Sequence, residues 1–468
     1  MKSPDTRPPF RGRFGRQPNC SGIGSTTLYS LLLNLVMTGR TSAQTLRPGS
    51  GYKALVCLFL DGGNDSFNML APLEPEEFAR YKTARADLAL GRDALLEISD
   101  PAGARGGRRF GLHPALPEIR DLYNAKKLSF VCNVGTLVEP TRLAAVNNAT
   151  ARLPLGLYSH ADQVMQWQTS VPDVRETAGW AGRAAEILRA LNERNDISMN
   201  ISLSGTNLFQ SGRNLIPYSI TPHGSTLLNG YTDPTRPFFR KAVDGMLEKQ
   251  YRNLLKQTYA NLTRSSIESA DLFLTAWKNA PQIATAFPDT RLGQCLRGVA
   301  QGMAARDNLG MKRQTYFVRS DGWDHHDEVL ASQGGMLAAV DQAVGSFWRA
   351  MGELGLQDEV VLFTASDFGR TLSSNGKGSD HGWGGNQFVL GGGQNGGRLY
   401  GEYPEDLSLG NGLDTGRGRL IPTTSVDEYF CELGLWLGVG KTDMALTLPN
   451  IERFYSLGSE AAPLGIFG

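Results

Sequence analysis

Short apolar runs alternate with longer amphipathic stretches along this chain. Helical patterns occupy residues 293–306, 328–352 and 424–438. A continuous apolar run of four to seven residues is typical of a strand that is buried on both faces. Strands separated by helices predict an α/β fold, with a mostly parallel central sheet and helices on both faces. The strand-like runs are Ala54–Leu60, Leu128–Val134, Asn200–Leu203, Gln314–Arg319, Val360–Thr364 and Gln387–Leu390.

A helical insertion is expected around residues 205–290. Residues 205–235 are rich in turn formers, and residues 239–278 follow a helical pattern in which Lys and Arg are interleaved among Leu, Tyr and Phe. Charges in such a pattern are typical of a solvated helix face. Because the strand and helix pattern continues on both sides of this segment, we expect residues 44–468 to form a single domain.

The composition and net charge of the chain argue against some classes of binding partner and metal site. The chain has 468 residues and a formal net charge of +1, which indicates neither a nucleic-acid partner nor an anionic membrane surface. Of the five cysteines, Cys57 and Cys132 lie inside apolar runs, where buried free thiols are expected. The absence of any CxxC pair argues against a zinc–thiolate site. The composition does not determine the oligomeric state.

The amino terminus has the three-part layout of an export signal. Residues 1–43 carry six Lys and Arg against one acid, a local net charge of +5. An apolar core from Ile23 to Met37 follows, and Thr41-Ser42-Ala43 supplies small residues for cleavage. The core is too short to span a membrane, and Arg11-Gly12-Arg13-Phe14 is a degenerate twin-arginine signature. We expect a cleaved signal, no transmembrane anchor, and a mature protein in the periplasm or outside the cell; a disordered basic arm is the alternative.

Acids and histidines follow three of the apolar runs. In open α/β sheets the carboxyl ends of the strands meet at one edge, which is where ligands bind. We therefore expect these side chains to form one site, in which Gly62 and Gly63 let the loop after the first run turn towards a ligand. The candidates are Asp61, Asp65, Asp324, His325, His326, Asp367, Asp380 and His381.

Oxygen and imidazole ligands without thiolates suit zinc, manganese or magnesium. Three or four of the candidates could hold one ion, and the full set could hold two. A pair of ions would suit displacement at phosphorus or sulfur, because it stabilises the attacking and leaving oxygens together. Arg370, close to Asp367 in sequence, is the candidate for binding an anionic substrate. The alternative is a set of polar loop residues that satisfy one another.

Ser159 stands directly before a helical pattern that continues through Met165 and Trp167. A serine at this position is typical of a helix cap. It also lies where anions bind best, at a helix amino terminus. Ser159 is therefore a candidate nucleophile and His160 a candidate second ligand or acid–base group, with simple capping as the alternative for Ser159.

Five motifs together resemble an exported bacterial family, domain of unknown function 1501 (DUF1501). The resemblance spans essentially all of the mature chain. It implies the fold of the alkaline-phosphatase-like superfamily, which includes sulfatases and phosphomutases, and a related metal site. It does not imply a particular substrate. The motifs are Leu58–Asn68, Ser159–Gln163, Gly322–His326, Ser366–Thr371 and Asp380–Gly382.

The resemblance also implies individual roles. Asp324 and His326 match the Gly-Phe-Asp-Thr-His pattern of the family, with His325 in place of the threonine. Asp367 stands where family members often have Glu. Asp380 and His381 match the Asp-His-Gly motif, and Asp65 matches the Gly-Gly-x-Asp motif. The position of Asp61 varies in the family.

Three functions remain open at this point. The first is an exported metal-dependent hydrolase of phosphate or sulfate esters, acting on an anionic small molecule or polysaccharide. The second is a non-catalytic, envelope-associated binding protein that retains the fold and a metal site. The third is a phosphomutase-like enzyme, which export disfavours because sugar-phosphate metabolism is cytosolic.

Overall fold

The computed structural model describes residues 51–99 and 107–468, so the export signal expected at 1–43 lies outside the described residues. The apolar runs form strands, and the interior residues of the longest ones are buried. The strands are β1 (Lys53–Asp61), β2 (Leu70–Pro72), β3 (Leu96–Glu97), β4 (Phe110–Leu112), β5 (Leu128–Gly135), β6 (Asn200–Ser202), β7 (Tyr218–Ser219), β8 (Arg313–Asp321), β9 (Val360–Ser366), β10 (Arg370–Ser374), β11 (Ser379–His381), β12 (Gly385–Gly391), β13 (Leu399–Gly401) and β14 (Thr424–Ser425).

Helices occupy most of the segments between the strands, as the amphipathic patterns predict. The helix at Val426–Leu437 begins with a capping box, in which Ser425 Oγ accepts from the Glu428 amide and Glu428 accepts from the Ser425 amide. The helices are Ser66–Met69, Pro75–Arg85, Pro117–Asn124, Leu143–Asn147, His160–Thr169, Trp180–Leu188, Pro237–Leu247, Leu254–Asn279, Arg291–Ala304, Val329–Glu353, Val426–Leu437 and Lys441–Thr447.

The central sheet of the described residues has nine strands, in the order β13-β5-β12-β9-β1-β8-β6-β7 with β14 beside β5. β1 pairs in parallel with both β8 and β9. Among the described strands of this sheet, β12 alone runs against its neighbours β5 and β9. The predicted α/β fold with a mostly parallel sheet is therefore confirmed.

Helices cover both faces of the sheet. Neighbouring residues of a strand point to opposite faces. The Tyr316 ring lies under Gly302, on the helix Arg291–Ala304. The next residue, Phe317, packs against Phe209, which in turn contacts Trp180 at the start of another helix. This confirms the predicted placement of helices on both faces.

The glycine-rich segment after β9 is more ordered than its sequence predicts. Only one strand was expected between residues 376 and 401, and three are present: β11, β12 and β13. β10 and β11 form a separate antiparallel hairpin that sets Arg370 opposite His381. Strands of three residues are too short to produce a recognisable hydrophobic pattern.

Two helices project from the segment where an insertion is expected, Pro237–Leu247 and Leu254–Asn279. The second helix is fixed by its carboxyl-terminal half, where Phe273 and Ala276 are buried. In the described part of the chain, no helix is both long enough and apolar enough to cross a membrane. The cysteines at 57, 132, 295 and 431 are buried free thiols, as predicted for Cys57 and Cys132.

Candidate metal centre

The carboxyl ends of three central strands lie side by side and bring the acidic loops together. Asp61 ends β1, in register with Asp321 at the end of β8. Leu60 is in register with Ser366 at the end of β9. Asp324 lies three residues after β8 and Asp367 directly follows β9, so parallel pairing places both at the same edge as Asp61.

Gly62 allows the loop after β1 to pass close to the loop after β8. Its φ of +123° is a conformation that side chains disfavour, and a Cβ there would lie 2.5 Å from the Asp324 amide nitrogen. The Gly62 N–H donates to Asp367 Oδ1 at 2.9 Å. The predicted role of glycine at this turn is thus a close approach between the backbones of the two loops.

His160 is the first residue of the helix His160–Thr169, and its imidazole is held by the loop after β9. His160 Nδ1 lies 2.7 Å from Asp367 Oδ2. Asp367 is almost completely buried. Its carboxylate therefore binds the Gly62 amide with one oxygen and the His160 ring with the other.

His381 approaches the same point from the β10–β11 hairpin. Its Nδ1 donates to the Tyr158 carbonyl at 2.8 Å, and its own carbonyl accepts from Arg419 Nε at 2.9 Å. Tyr158 has a positive φ of 72°. This conformation allows the turn before the helix to present its carbonyl to the imidazole.

His326 is held in the same manner by Asp380. His326 Nδ1 lies 3.0 Å from Asp380 Oδ1, which also accepts from Asn375 Nδ2 at 3.2 Å. Asp380 Oδ2 pairs with Arg417. Partial burial acts to raise the pKa of Asp380, but the hydrogen bonds from Asn375, His326 and Arg417 outweigh it and lower that pKa to about 2. Asp380 is therefore a carboxylate over the physiological pH range.

The Nε2 atoms of the three histidines converge beside Asp324. His381 Nε2 lies 3.1 Å from His160 Nε2 and 3.0 Å from His326 Nε2. The Asp324 carboxylate lies 3.0 Å from His326 Nε2, 3.4 Å from His160 Nε2 and 3.5 Å from His381 Nε2. Ligand atoms of His160, Asp324 and His381 all fall within 4.8 Å of one another.

The hydrogen bonds at Nδ1 determine which ring nitrogen faces the cluster. Because each Nδ1 contacts an oxygen acceptor, each neutral imidazole carries its proton there and presents a lone pair at Nε2. The hydrogen bond with Asp367 raises the pKa of His160, whereas burial lowers that of His381. A proton on His160 would satisfy its contact with His381 but not the contacts of His326. The ligand atoms of His160, Asp324 and His381 are close enough together to hold a metal ion.

Arg370 is buried and directed inward. Its Nη1 donates to Asp324 Oδ1 at 2.7 Å and to the Gly62 carbonyl at 3.2 Å, and its Nη2 donates to the Ser379 carbonyl. Partial burial would raise the pKa of Asp324, but the hydrogen bond and charge of Arg370 lower it overall. In this structure Arg370 orients Asp324 and does not face the solvent.

Asp65 and His325 are not brought to the cluster. Asp65 is buried in an ion pair with Arg85 and accepts from Ser379 Oγ at 3.0 Å. His325 is also buried, and neither ring nitrogen has a hydrogen-bond partner among the described residues. Neither side chain therefore takes part in the cluster, although His325 is next to His326 in sequence.

A cleft of about 360 Å³ opens beside the cluster. Asp61 pairs there with Arg319 at 2.7 Å, yet burial and the neighbouring Asp367 charge raise its pKa. Ser159 occupies the cap position before the helix, but within the described residues its side chain makes no capping hydrogen bond. The lining residues are Asp61, Gly62, His160, Ala161, Val164, Gly322, Asp324 and Asp367.

Several residues that organise the cluster carry no signal in the sequence. The Tyr158 carbonyl is a backbone group, and Arg417 and Asn375 lie in irregular segments far in sequence from His326. Their roles depend on tertiary contacts. Of the predicted site residues, Asp324, His160, His326 and His381 supply the converging atoms, and Asp367 and Asp380 contact these rings from outside.

Comparison with protein families gives a match over part of the chain. The model for a protein of unknown function (DUF1501) matches residues 238–409. The matched stretch includes Asp324, His326, Asp367 and His381. It begins after His160, which therefore lies outside it. No curated protein matches the chain.

Comparison with solved structures gives distant similarities. A crystal structure of Ps i-CgsB with k-i-k-neocarrahexaose is 12% identical, with a TM-score of 0.32, covering 83% of this chain and 72% of that one. PsFucS1 sulfatase from Pseudoalteromonas sp. is 10% identical, with a TM-score of 0.29, covering 88% and 72%. BT1596, a 2-O GAG sulfatase, is 11% identical, with a TM-score of 0.25, covering 74% and 65%. At these TM-scores the similarities add nothing to the geometry described above.

Proposed function

We propose that this protein is an exported, metal-dependent hydrolase of phosphate or sulfate esters with an alkaline-phosphatase-like fold. One observation carries the proposal: three histidines, each bound through Nδ1 to an oxygen, direct Nε2 towards one another and towards Asp324. This is the arrangement by which proteins orient metal-binding imidazoles.

The donor set favours a transition metal. His160, His326, His381 and Asp324 offer three imidazole nitrogens and a carboxylate. Such a set suits zinc, and also manganese, whereas magnesium prefers oxygen ligands. When bound, the ion would polarise the ester and lower the pKa of an attacking hydroxyl group.

The surrounding residues would hold this site and attract the substrate. Asp367 and Asp380 fix two of the rings, and Arg370 fixes Asp324. Arg319 and Arg417 are about half exposed, at 49% and 47%. Their guanidinium groups are paired with Asp61 and Asp380, so they would bind an anionic ester by exchanging the carboxylate for the phosphate or sulfate group.

Ser159 is the proposed nucleophile. Its hydroxyl is not used in capping and lies at the amino terminus of a ten-residue helix, where N–H groups favour an anion. Ser159 Oγ would lose its proton to solvent and form a bond to phosphorus or sulfur as the ester bond breaks. Asp61, which lines the cleft, would pass a proton to the leaving oxygen after release from Arg319. Water would then release the product, and direct attack by water is the alternative.

The nucleophile is not the formylglycine of many sulfatases. That chemistry needs a cysteine or serine in a Cys-x-Pro-x-Arg type of run, and no cysteine of the chain stands in one. The four described cysteines are also buried. Intact-mass analysis showing conversion of a cysteine to formylglycine would contradict this statement.

One observation favours the second candidate, a non-catalytic, envelope-associated binding protein that retains the metal. Arg370, expected to bind an anionic substrate, is buried against Asp324 and Ser379. A hydrolase with this site would therefore rely on Arg319, Arg417 and the metal to bind the anion.

The decisive experiment combines elemental analysis with an ester assay. The protein is purified without chelators and tested on aryl phosphate, phosphodiester and aryl sulfate with added zinc, manganese or magnesium. His381→Ala is compared with His223→Ala, an exposed histidine outside the site.

We expect stoichiometric metal and turnover in the parent protein and in His223→Ala, and loss of both in His381→Ala. Metal without turnover of any ester would favour the binding protein. A parent protein without metal would reject both candidates.

A further inference from the structure

The projecting helices Pro237–Leu247 and Leu254–Asn279 concentrate exposed apolar side chains. Of the fifteen large hydrophobic side chains exposed among the described residues, seven lie between residues 238 and 262. Phe238 is 85% exposed and Met246 is 52% exposed. An exposed apolar concentration of this kind marks a surface that another molecule covers.

The apolar side chains of the longer helix share one face. Leu255, Tyr259 and Leu262 are spaced by four and three residues, which places them along one side of a helix. They are 80%, 73% and 63% exposed. The opposite half of the same helix is anchored by buried Phe273, so the apolar face projects from a fixed base.

The same surface is strongly basic. Residues 236–264 contain seven Lys and Arg against Asp244 and Glu248, a local net charge of +5 in a chain whose formal net charge is +1. All seven basic side chains are exposed. The formal net charge of the whole chain is close to zero, but the positive charge is concentrated in residues 236–264.

We propose that the surface formed by residues 236–264 docks on a lipid bilayer with anionic headgroups. Leu255, Tyr259 and Leu262 would enter the boundary between headgroups and acyl chains, while Lys249 and Lys256 remain among the lipid phosphates. Apolar and basic side chains together are what interfacial helices use to bind such membranes. The inference does not depend on the proposed hydrolase activity.

Other candidate partners would match either the positive charge of this surface or its apolar side chains, but not both. A second copy docked through this surface would place two patches of net charge +5 against each other. A nucleic acid or an anionic polysaccharide would neutralise the charge but leave the leucines exposed to water. An anionic bilayer matches both the charge and the apolar side chains.

The test is vesicle co-sedimentation of the full chain. Vesicles of phosphatidylglycerol and phosphatidylethanolamine are compared with vesicles of phosphatidylcholine alone. One variant combines Leu255→Gln with Leu262→Gln, and a second combines Lys249→Glu with Lys256→Glu. The matched control combines Ile216→Gln with Leu446→Gln, which are 75% and 59% exposed outside the surface.

We expect binding to phosphatidylglycerol vesicles that salt weakens, at least about tenfold weaker binding in both surface variants, and unchanged binding in the control. All variants are produced with the same amino terminus, so residues 1–43, wherever they are retained, could not cause a difference between variants. Circular dichroism establishes that each variant is folded.

Three outcomes would overturn the proposal. The first is no binding of the folded parent protein to phosphatidylglycerol vesicles. The second is binding that neither surface variant weakens. The third is a concentration-dependent dimer that the Leu255→Gln, Leu262→Gln variant abolishes while vesicle binding stays unchanged, which would assign the surface to a second copy.

Discussion

His160 and His381 face each other through their Nε2 atoms at 3.1 Å, although the two residues are 221 positions apart in the chain. The Nδ1 atom of His160 already contacts Asp367, and that of His381 already donates to the Tyr158 carbonyl. Two neutral rings held in this way repel each other through their lone pairs. A proton or a metal ion between the rings would remove this repulsion, and the proposed metal site can be tested through the residues that hold the rings.

The carboxylates outside the cluster should set the affinity for metal. Asp367→Asn and Asp380→Asn leave all four donor residues in place but weaken the contacts that orient His160 and His326. We expect metal affinity to fall by about 10–100-fold in each variant, and to fall further in His326→Ala, which loses a donor. Competition with a chromogenic chelator measures these affinities, and His223→Ala is the control. Equal affinity in all variants would contradict the ligand assignment.

Ser159 and Ser425 should differ in their contributions to stability. Ser425 forms a capping box at its helix, whereas the Ser159 side chain makes no capping bond within the described residues. Ser425→Ala should cost about 1 kcal/mol of unfolding free energy and Ser159→Ala much less. Urea denaturation of both variants measures the difference.

The same residue provides a test of the nucleophile. Ser159→Asn removes the hydroxyl group, so ester turnover should be lost while metal content and thermal stability are retained. Turnover within about threefold of the parent protein would leave a water molecule as the attacking group.

Arg370 should matter more for stability than its neighbour Arg319. Arg370→Met removes a fully buried guanidinium from Asp324, and breaking a buried ion pair typically costs about 3–5 kcal/mol. Because Asp324 is 42% exposed, we expect the lower end of this range. Arg319→Met removes a half-exposed partner of Asp61 and should cost less than about 1 kcal/mol. Equal losses in chemical denaturation would mean that Arg370 does not hold Asp324.

Asp427 should make the fold more stable at acidic than at alkaline pH. Its complete burial raises its pKa to about 7, although Ser170 donates to it at 2.9 Å. Since the folded chain keeps a proton that the unfolded chain releases near pH 4, stability is present below that pH and is lost as the pH rises through 7.

Asp427→Asn cannot lose this proton. Between pH 5 and pH 8 the variant should therefore lose less unfolding free energy than the parent protein, by an amount on the order of 1–3 kcal/mol. Urea denaturation at the two pH values measures this amount. An identical pH dependence in the two proteins would show that Asp427 titrates normally.

The export signal is predicted to be cleaved after Ala43. Thr41 and Ala43 are the small residues that follow the apolar core ending at Met37. Amino-terminal sequencing of the protein recovered from the producing cells gives the answer directly. A mature chain that still starts at Met1 would contradict the prediction.

The central strands were predictable because burial on both faces leaves a continuous apolar run, as in β1 and β9. The direction of β12 was not predictable, because the same run of residues fits either orientation. β10 and β11 were not predicted because they are short and polar, although they carry Arg370 and His381.

The site residues were predictable where the residue type and its position after a strand were sufficient to indicate them. Asp324, His326 and His381 stand in acid–histidine clusters after strands, so residue type and position indicated them. Asp65 has the same local signal, but it is buried against Arg85, 20 residues further on, and no local pattern indicates that pairing. The contact of His381 with Tyr158 likewise depends on the folded backbone.

The four converging side chains come from widely separated parts of the chain, His160, Asp324, His326 and His381. The cluster therefore cannot form until synthesis has passed residue 381 and the strands that carry these loops have paired. A chain exported unfolded would meet its metal outside the cytoplasm, whereas a chain exported folded would carry its metal across. Because nitrogen-rich sites bind several divalent ions, and the supply of each ion decides which one is bound, the compartment in which this protein folds would select its metal.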